Sequence, residues 1–213
     1  MKINSMKTLN KFIVLMIAIF LMMAMVPFNV SALNKGEVKI GQATSGEGGK
    51  LRGCRAGDQS GGEVSVSNWS YASGSGSSYH WVYVFRAKNP VIAKKISKVM
   101  KQIAANNHVG YDKNAPDRYT LYDQAKANNW DVTKITNDCE TTCSSAVAVA
   151  LNCAGVRVPK LLYSQIVYEE IMKTKKFDCY TTSDYTASPD KLMEGDILCN
   201  PKHHTAMVVE SPN

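Results

Sequence analysis

The chain has 213 residues, 45% of them hydrophobic and 20% charged, with a formal charge of +7. That length fits one domain with a core of its own. A basic excess this small and this scattered argues against nucleic acid as a partner; it suits weak attraction to an anionic surface such as a bacterial wall, or simply solubility.

Lys2, Lys7 and Lys11 precede an apolar run from Phe12 to Phe28, and Val30–Ala32 forms a small-residue site. This is the order of a secretory signal peptide, residues 1–32. A retained membrane anchor is the rival reading, against which Pro27 and the small residues weigh. Cleavage removes three lysines and no acids, leaving residues 33–213 as one exported domain of charge +4 with no further membrane association.

From Asn34 to about Ser78 the chain is rich in Gly and Ser, with alternating stretches such as "EVSVSNW" that predict half-buried strands. "ASGSGSSYH" predicts an exposed loop, and "WVYVFRA", Trp81–Ala87, a further strand. Asn89 and Pro90 are a good helix start, and Val91, Ile92, Ile96, Val99, Met100 and Ile103 recur at helical spacing. "ANNHVGYDKNAPDR" predicts a loop. A short helix follows from Arg118 to about Asn128, then one from Cys143 to Cys153, capped by Asp138 or Thr142 and closed by Gly155. After a helix over about Leu161–Thr174 come two strands, "GDILCN" and "HTAMVVE", joined by "PKHH". No internal repeat is visible, and the order of elements is α+β.

All six cysteines lie beyond residue 32. An even count in an exported chain suggests disulfides, but the spacing is not that of a small disulfide scaffold, so buried thiols and one reactive thiol remain open. Zinc fits poorly, because His203 and His204 are adjacent rather than spaced as ligands. No metal and no cofactor are expected.

Cys143 sits where a helix start offers unpaired N–H groups and partial positive charge, which favour a thiolate. Ser145 lies nearby, leaving room for a substrate carbonyl, and backbone amides there could bind its oxyanion. A plainer reading makes Cys143 a small buried hydrophobe or half of a disulfide. His204 opens an apolar strand, and a cysteine paired with such a histidine is the arrangement for attack on an amide.

"DCETTCSSAVAVALNCAGV" and, further along, "LMEGDILCNPKHHTAMVVE" resemble the NlpC-type peptidoglycan cysteine peptidases. These are papain-like enzymes whose signature is Asp-Cys-Ser-Ser or Asp-Cys-Ser-Gly on a helix, then Gly-Asp-Ile-Leu and a strand with histidine. "GCRAGDQSGGEV", "GYD" and "TLYDQAKA" are similar to motifs of phage endolysin and Gram-positive wall-hydrolase catalytic domains. The resemblance implies a papain-like fold with the cysteine at a helix N-terminus packed on an antiparallel sheet that carries the histidine. It makes Cys143 the nucleophile and His204 the general base, with Cys139 and His203 as competitors. Here Thr142, not Asp, precedes Cys143, and the Asp-Cys pair is Asp138–Cys139. Tyr111 becomes a cleft wall beside Ser144 and Ser145, and peptidoglycan the partner of a secreted or wall-associated monomer, in a Gram-positive bacterium.

The group that orients the histidine has no obvious place in the sequence. Glu210 shares a strand face with His204 but lies about 20 Å along it. Asp58 and Gln59 of "AGDQ" are the candidates, the alternative being that they shape a glycine-rich turn. Two other functions stay open: a catalytically silent wall-binding or toxin-like module, and a cysteine protease or acyltransferase acting on protein.

Overall fold

Short strands gathered into one sheet carry the two longest helices of this molecule on one face. The computed structural model describes residues 37–70 and 80–213. The signal peptide, and all of the "ASGSGSSYH" loop except His80, together with Tyr71, lie outside the described residues.

The strands are β1 (Lys39–Ala43), β2 (Val64–Asn68), β3 (Tyr83–Ala87), β4 (Val109–Tyr111), β5 (Cys139–Thr141), β6 (Phe177–Tyr180), β7 (Ile197–Asn200) and β8 (His204–Glu210). The helices are α1 (Pro90–Ala104), α2 (Thr120–Ala127), α3 (Cys143–Cys153), α4 (Val167–Lys173) and α5 (Ser183–Thr186). Six strands form one antiparallel sheet in the order β2-β1-β8-β7-β3-β6, and β4 pairs with β5 in parallel. The architecture is mixed α+β with a mainly antiparallel sheet.

Two apolar clusters sandwich the sheet. Met207, Val209, Phe85 and Ala43 face α1 and α3 on one side. Val208, Ala206, Ile40 and Trp81 form a smaller cluster on the other. This is the strand alternation expected of a sheet buried on both faces. α1 begins as the sequence predicts, with Asn89 Oδ1 accepting the Val91 N–H at 2.9 Å and Pro90 in the first turn. α3 is buried all round from Ser144 to Leu151, so it is the central helix rather than an amphipathic surface one.

Several elements differ from the expectation. The loop predicted before Arg118 contains β4, and β5 lies just before α3. Three-residue strands are too short to show a period of two. Gly110 makes β4 possible: a Cβ there would stand 2.1 Å from the Gly57 carbonyl oxygen. The helix expected from Leu161 begins only at Val167, and β6 follows where no strand was expected.

Candidate active site

α3 starts at Cys143 because Thr142 caps it. Thr142 is extended (φ −129°, ψ 173°), its Oγ1 accepts the Ser145 N–H at 3.4 Å, and its hydroxyl donates to Ser145 Oγ at 2.9 Å. Its carbonyl takes the Ala146 N–H at 2.9 Å. Asp138, the other cap expected from sequence, is turned away and lies 2.6 Å from His108 Nδ1. Ser145 is therefore part of the cap, not the wall of a cleft, which corrects that expectation; Ser144 beside it is also buried.

The cap uses the N–H groups of Ser145 and Ala146, and those of Cys143 and Ser144 remain as first-turn donors. The backbone amides of Ser144 and Thr205 favour the charged form of the Cys143 sulfur. Cys143 keeps part of its surface in solvent, yet its sulfur is enclosed enough that burial is the dominant influence and pushes the thiol up. The two N–H groups, Lys113 and Arg118 pull the other way and do not prevail. Burial thus works against the thiolate that the helix start favours.

His204 stands next to Thr205 at the first position of β8. Its Nε2 lies 2.8 Å from Gln42 Oε1 on β1, and Gln42 Nε2 in turn donates to Ser67 Oγ on β2 at 2.9 Å. With its amide N–H engaged by Ser67, Gln42 presents its carbonyl oxygen to the ring, so Nε2 carries the hydrogen and Nδ1 the lone pair. Trp81 packs beside the imidazole, ring centroids 6.0 Å apart. Burial lowers the His204 pKa to about 4, and nearby Lys113 adds to the effect. His203, the competing base, is exposed in the turn before the strand.

Cys143 and His204 do not hydrogen-bond each other; the partner of the imidazole is Gln42. Alternation places His204 on the sheet face of Ala206 and Trp81, whereas Met207 and Val209 look toward the helices. The imidazole thus lies on the face away from α3, and its hydrogen bond to the thiol is unmade in this structure. Catalytic hydrogen bonds are often long or unmade before substrate binds.

Asp58 and Gln59 are not the orienting groups. Asp58 Oδ1 accepts the N–H groups of Ser60, Gly61 and Gly62 at 2.7–3.2 Å, and Gln59 donates to the Ala56 carbonyl at 2.9 Å. They shape the turn. The residue that sequence reasoning missed is Gln42, whose one signal is an amide inside the short strand "KIGQA".

The other quoted motifs prove to be scaffolding. Asp112 of "GYD" accepts the N–H groups of Cys54 at 2.9 Å and Asn114 at 2.6 Å. Tyr111 is buried, close enough to Cys143 for the two to interact electrostatically, and burial raises its hydroxyl pKa. Asp196 of "GDIL" is buried against Arg86, with Nε–Oδ1 2.8 Å and Nη2–Oδ2 2.6 Å. Glu63 and Glu140 are buried beneath the β1–β2 loop; burial, then Glu63 and Asp112, push Glu140 up to about 8. Both Glu140 oxygens lack a hydrogen-bond partner in good geometry; the Gly57 N–H, which favours the charged carboxylate, is given to the Cys139 carbonyl at 3.4 Å. Among the described residues no group of three or more His, Cys, Asp or Glu side chains is placed to hold a metal ion. All six cysteines are free thiols. Cys139, the competing nucleophile, is buried and pushed up to about 12 by burial, then by Glu140 and Asp138.

A capped cysteine helix laid on a mainly antiparallel sheet, and a strand histidine held by an amide, make up the candidate site. The family model of the endolysin-like domain matches residues 40–213, and the chain belongs to that family. No curated protein and no solved structure matches it. Membership suggests a function at the cell wall. Among the described residues no helix is long and apolar enough to cross a membrane.

Proposed function

We propose that the protein is a secreted peptidoglycan hydrolase of a Gram-positive bacterium, with a papain-like NlpC-type fold, that cuts an amide bond in wall stem peptides through a thioester on Cys143. The observation that carries this reading is the capped start of α3 at Cys143 together with the histidine at the first position of β8, whose Nε2 is held by Gln42.

In this reading Nδ1 of His204 accepts the thiol proton, through one water or after the ring turns toward the sulfur on substrate binding, as the sulfur attacks the amide carbon, so that proton transfer and S–C bond formation occur together. A concerted start suits groups that burial keeps neutral. The Cys143 N–H, free at the helix start, donates to the oxyanion. The imidazolium then gives its proton to the leaving nitrogen as the C–N bond breaks. Water, deprotonated by the same Nδ1, attacks the thioester, and the thiol is released with its proton restored. Tyr111 closes the site from behind.

The test is lysis of purified sacculi, followed by loss of turbidity and by the appearance of new amino groups. The wild-type protein is expected to lyse them, and Cys143→Ala to bind without lysing. Equal lysis by the variant would overturn the cysteine mechanism; binding without lysis by both proteins would make this a wall-binding module.

A further inference from the structure

Arg118 is a cation fixed in place without an acid. Its guanidinium carbon lies 4.8 Å from the centre of the Tyr163 ring and 5.2 Å from that of Tyr119, and the two tyrosine hydroxyls are themselves 2.7 Å apart. Stacking on two rings removes most of the freedom of a long side chain and leaves its donor edge available. Yet no carboxylate among the described residues pairs with it, and its Nε is buried with no hydrogen-bond partner. Lys160, the neighbouring cation over Tyr119, is by contrast taken by Asp123 at 2.6 Å. A buried donor left without an acceptor is unfavourable and needs an explanation.

Its surroundings supply one. Thr120, two residues on, accepts the Glu140 N–H at 2.7 Å, three residues before Cys143. On the other side Tyr163 adjoins Ser164, whose carbonyl lies 3.6 Å from the sulfur of Cys199, the β7 partner of Thr205. The Arg118 cage therefore bridges the two segments that meet at the thiol. Lys113 follows Asp112, whose N–H bonds to the Thr141 carbonyl at 3.2 Å two residues before α3 begins. Lys113 makes no ion pair among the described residues, and its charge reaches both Cys143 and His204, as that of Arg118 reaches Cys143.

We propose that Arg118 and Lys113 form a subsite for a substrate carboxylate next to the scissile amide, so that the favoured substrates are peptides carrying a free carboxylate beside the bond that is cut. This rests on the hydrolase reading for the word substrate, but not for the anion site itself. A rigid planar guanidinium suits a carboxylate in a way that an amide cannot match.

Two measurements on the full mature chain test it. The first is calorimetric titration of the Cys143→Ala protein with two short peptides that differ only in bearing a free carboxylate or a carboxamide next to a central amide bond. The carboxylate form is expected to bind about tenfold or more tightly, and Arg118→Gln to erase that preference. Equal affinities, or no binding of either peptide, would overturn the subsite. The second needs no peptide: alkylation of Cys143 by iodoacetate and by iodoacetamide, read by peptide mass. In each case the sulfur displaces iodide and the thiol proton passes to His204 or water. Relative to glutathione, the ratio of the two rates should favour iodoacetate, fall to the glutathione value in Arg118→Gln, and fall partway in Lys113→Gln. An unchanged ratio in both variants would overturn the proposal. If the carboxylate preference is present but the wild-type protein cuts neither peptide nor sacculi, the hydrolase reading fails and the anion site stands.

Discussion

Two buried polar clusters flank β4 and β5, and they are built on opposite terms. At the end of β8, His204 has an acceptor in Gln42, Gln42 has Ser67, and Thr142 and Ser145 satisfy each other. Beneath the β1–β2 loop, Glu63 gives one oxygen to the Tyr111 N–H at 3.0 Å, while its other oxygen and both of Glu140 lack partners. The first cluster is organised polarity, ready to act; the second is stored electrostatic cost. Burial neutralises both, but in opposite directions of pH. His204 resists protonation as pH falls, and Glu140 resists ionisation as pH rises.

The largest difference should appear when the organised cluster loses its base. His204→Ala is expected to lower the rate of sacculus lysis by roughly 10³-fold or more, with the far-UV spectrum and unfolding midpoint near those of wild type. His203→Ala should leave the rate within a few-fold. A reversed pattern would move the base to the turn and break the contrast.

The acid cluster should respond in stability rather than in rate. Glu140 titrates near 8 in the folded protein against an ordinary value of 4.5, so the unfolded chain releases that proton first. Stability is then fully present below pH 4.5 and is lost as pH rises from there to about 8. Glu140→Gln removes the loss and should stabilise by on the order of 3 kcal/mol at pH 7, read as a higher urea midpoint with an unchanged slope. A variant less stable than wild type at pH 8 would mean that the carboxylate is satisfied after all. His204 gives the opposite limb: its folded value of about 4 lies below the ordinary 6.5, so its contribution is present above 6.5 and disappears between there and 4.

Much of this was legible in the sequence, and the failures share a cause. Local signals located α1, α3, the final hairpin, and the cysteine and histidine candidates, because caps, helical spacing and strand alternation are written in neighbouring residues. What escaped was set by partners far along the chain. Gln42 meets a histidine 162 positions away, and nothing in "KIGQA" names it. Glu140 reads as a surface acid in "CETT" and is buried only because β5 pairs with β4 and the Asp58 turn closes over them. Asp58 illustrates the converse: a conspicuous polar residue in a glycine-rich motif was offered a catalytic role, and its carboxylate is consumed by the turn it sits in.

Gln42 gives the sharper test of how the organised cluster works. Gln42→Ala leaves the Nε2 hydrogen without its acceptor and frees the ring to change tautomer; kcat should fall about 10- to 100-fold while KM changes little. Gln42→Glu tests the electrostatics separately. In the proposed mechanism activity requires neutral imidazole, so the acid limb of kcat/KM should lie near pH 4 in the wild type, following the folded His204 value. A carboxylate at position 42 stabilises the imidazolium and should move that limb upward. An unmoved limb would assign the titration to another group.

The smallest effect should come from the cap. Thr142→Ala removes the Oγ1 that takes the Ser145 N–H and leaves Ser145 Oγ without its donor, at a cost of about 1 kcal/mol in unfolding free energy. Thr142→Ser retains the oxygen and should recover most of it. The rate is the informative readout, because the freed Ser145 N–H adds a donor to the helix start beside the sulfur. If the enclosed thiol were limited by anion stabilisation, that extra donor would speed alkylation of Cys143. Since dehydration is the larger influence on the thiol, the expected outcome is a less stable protein with an alkylation rate within about twofold of wild type.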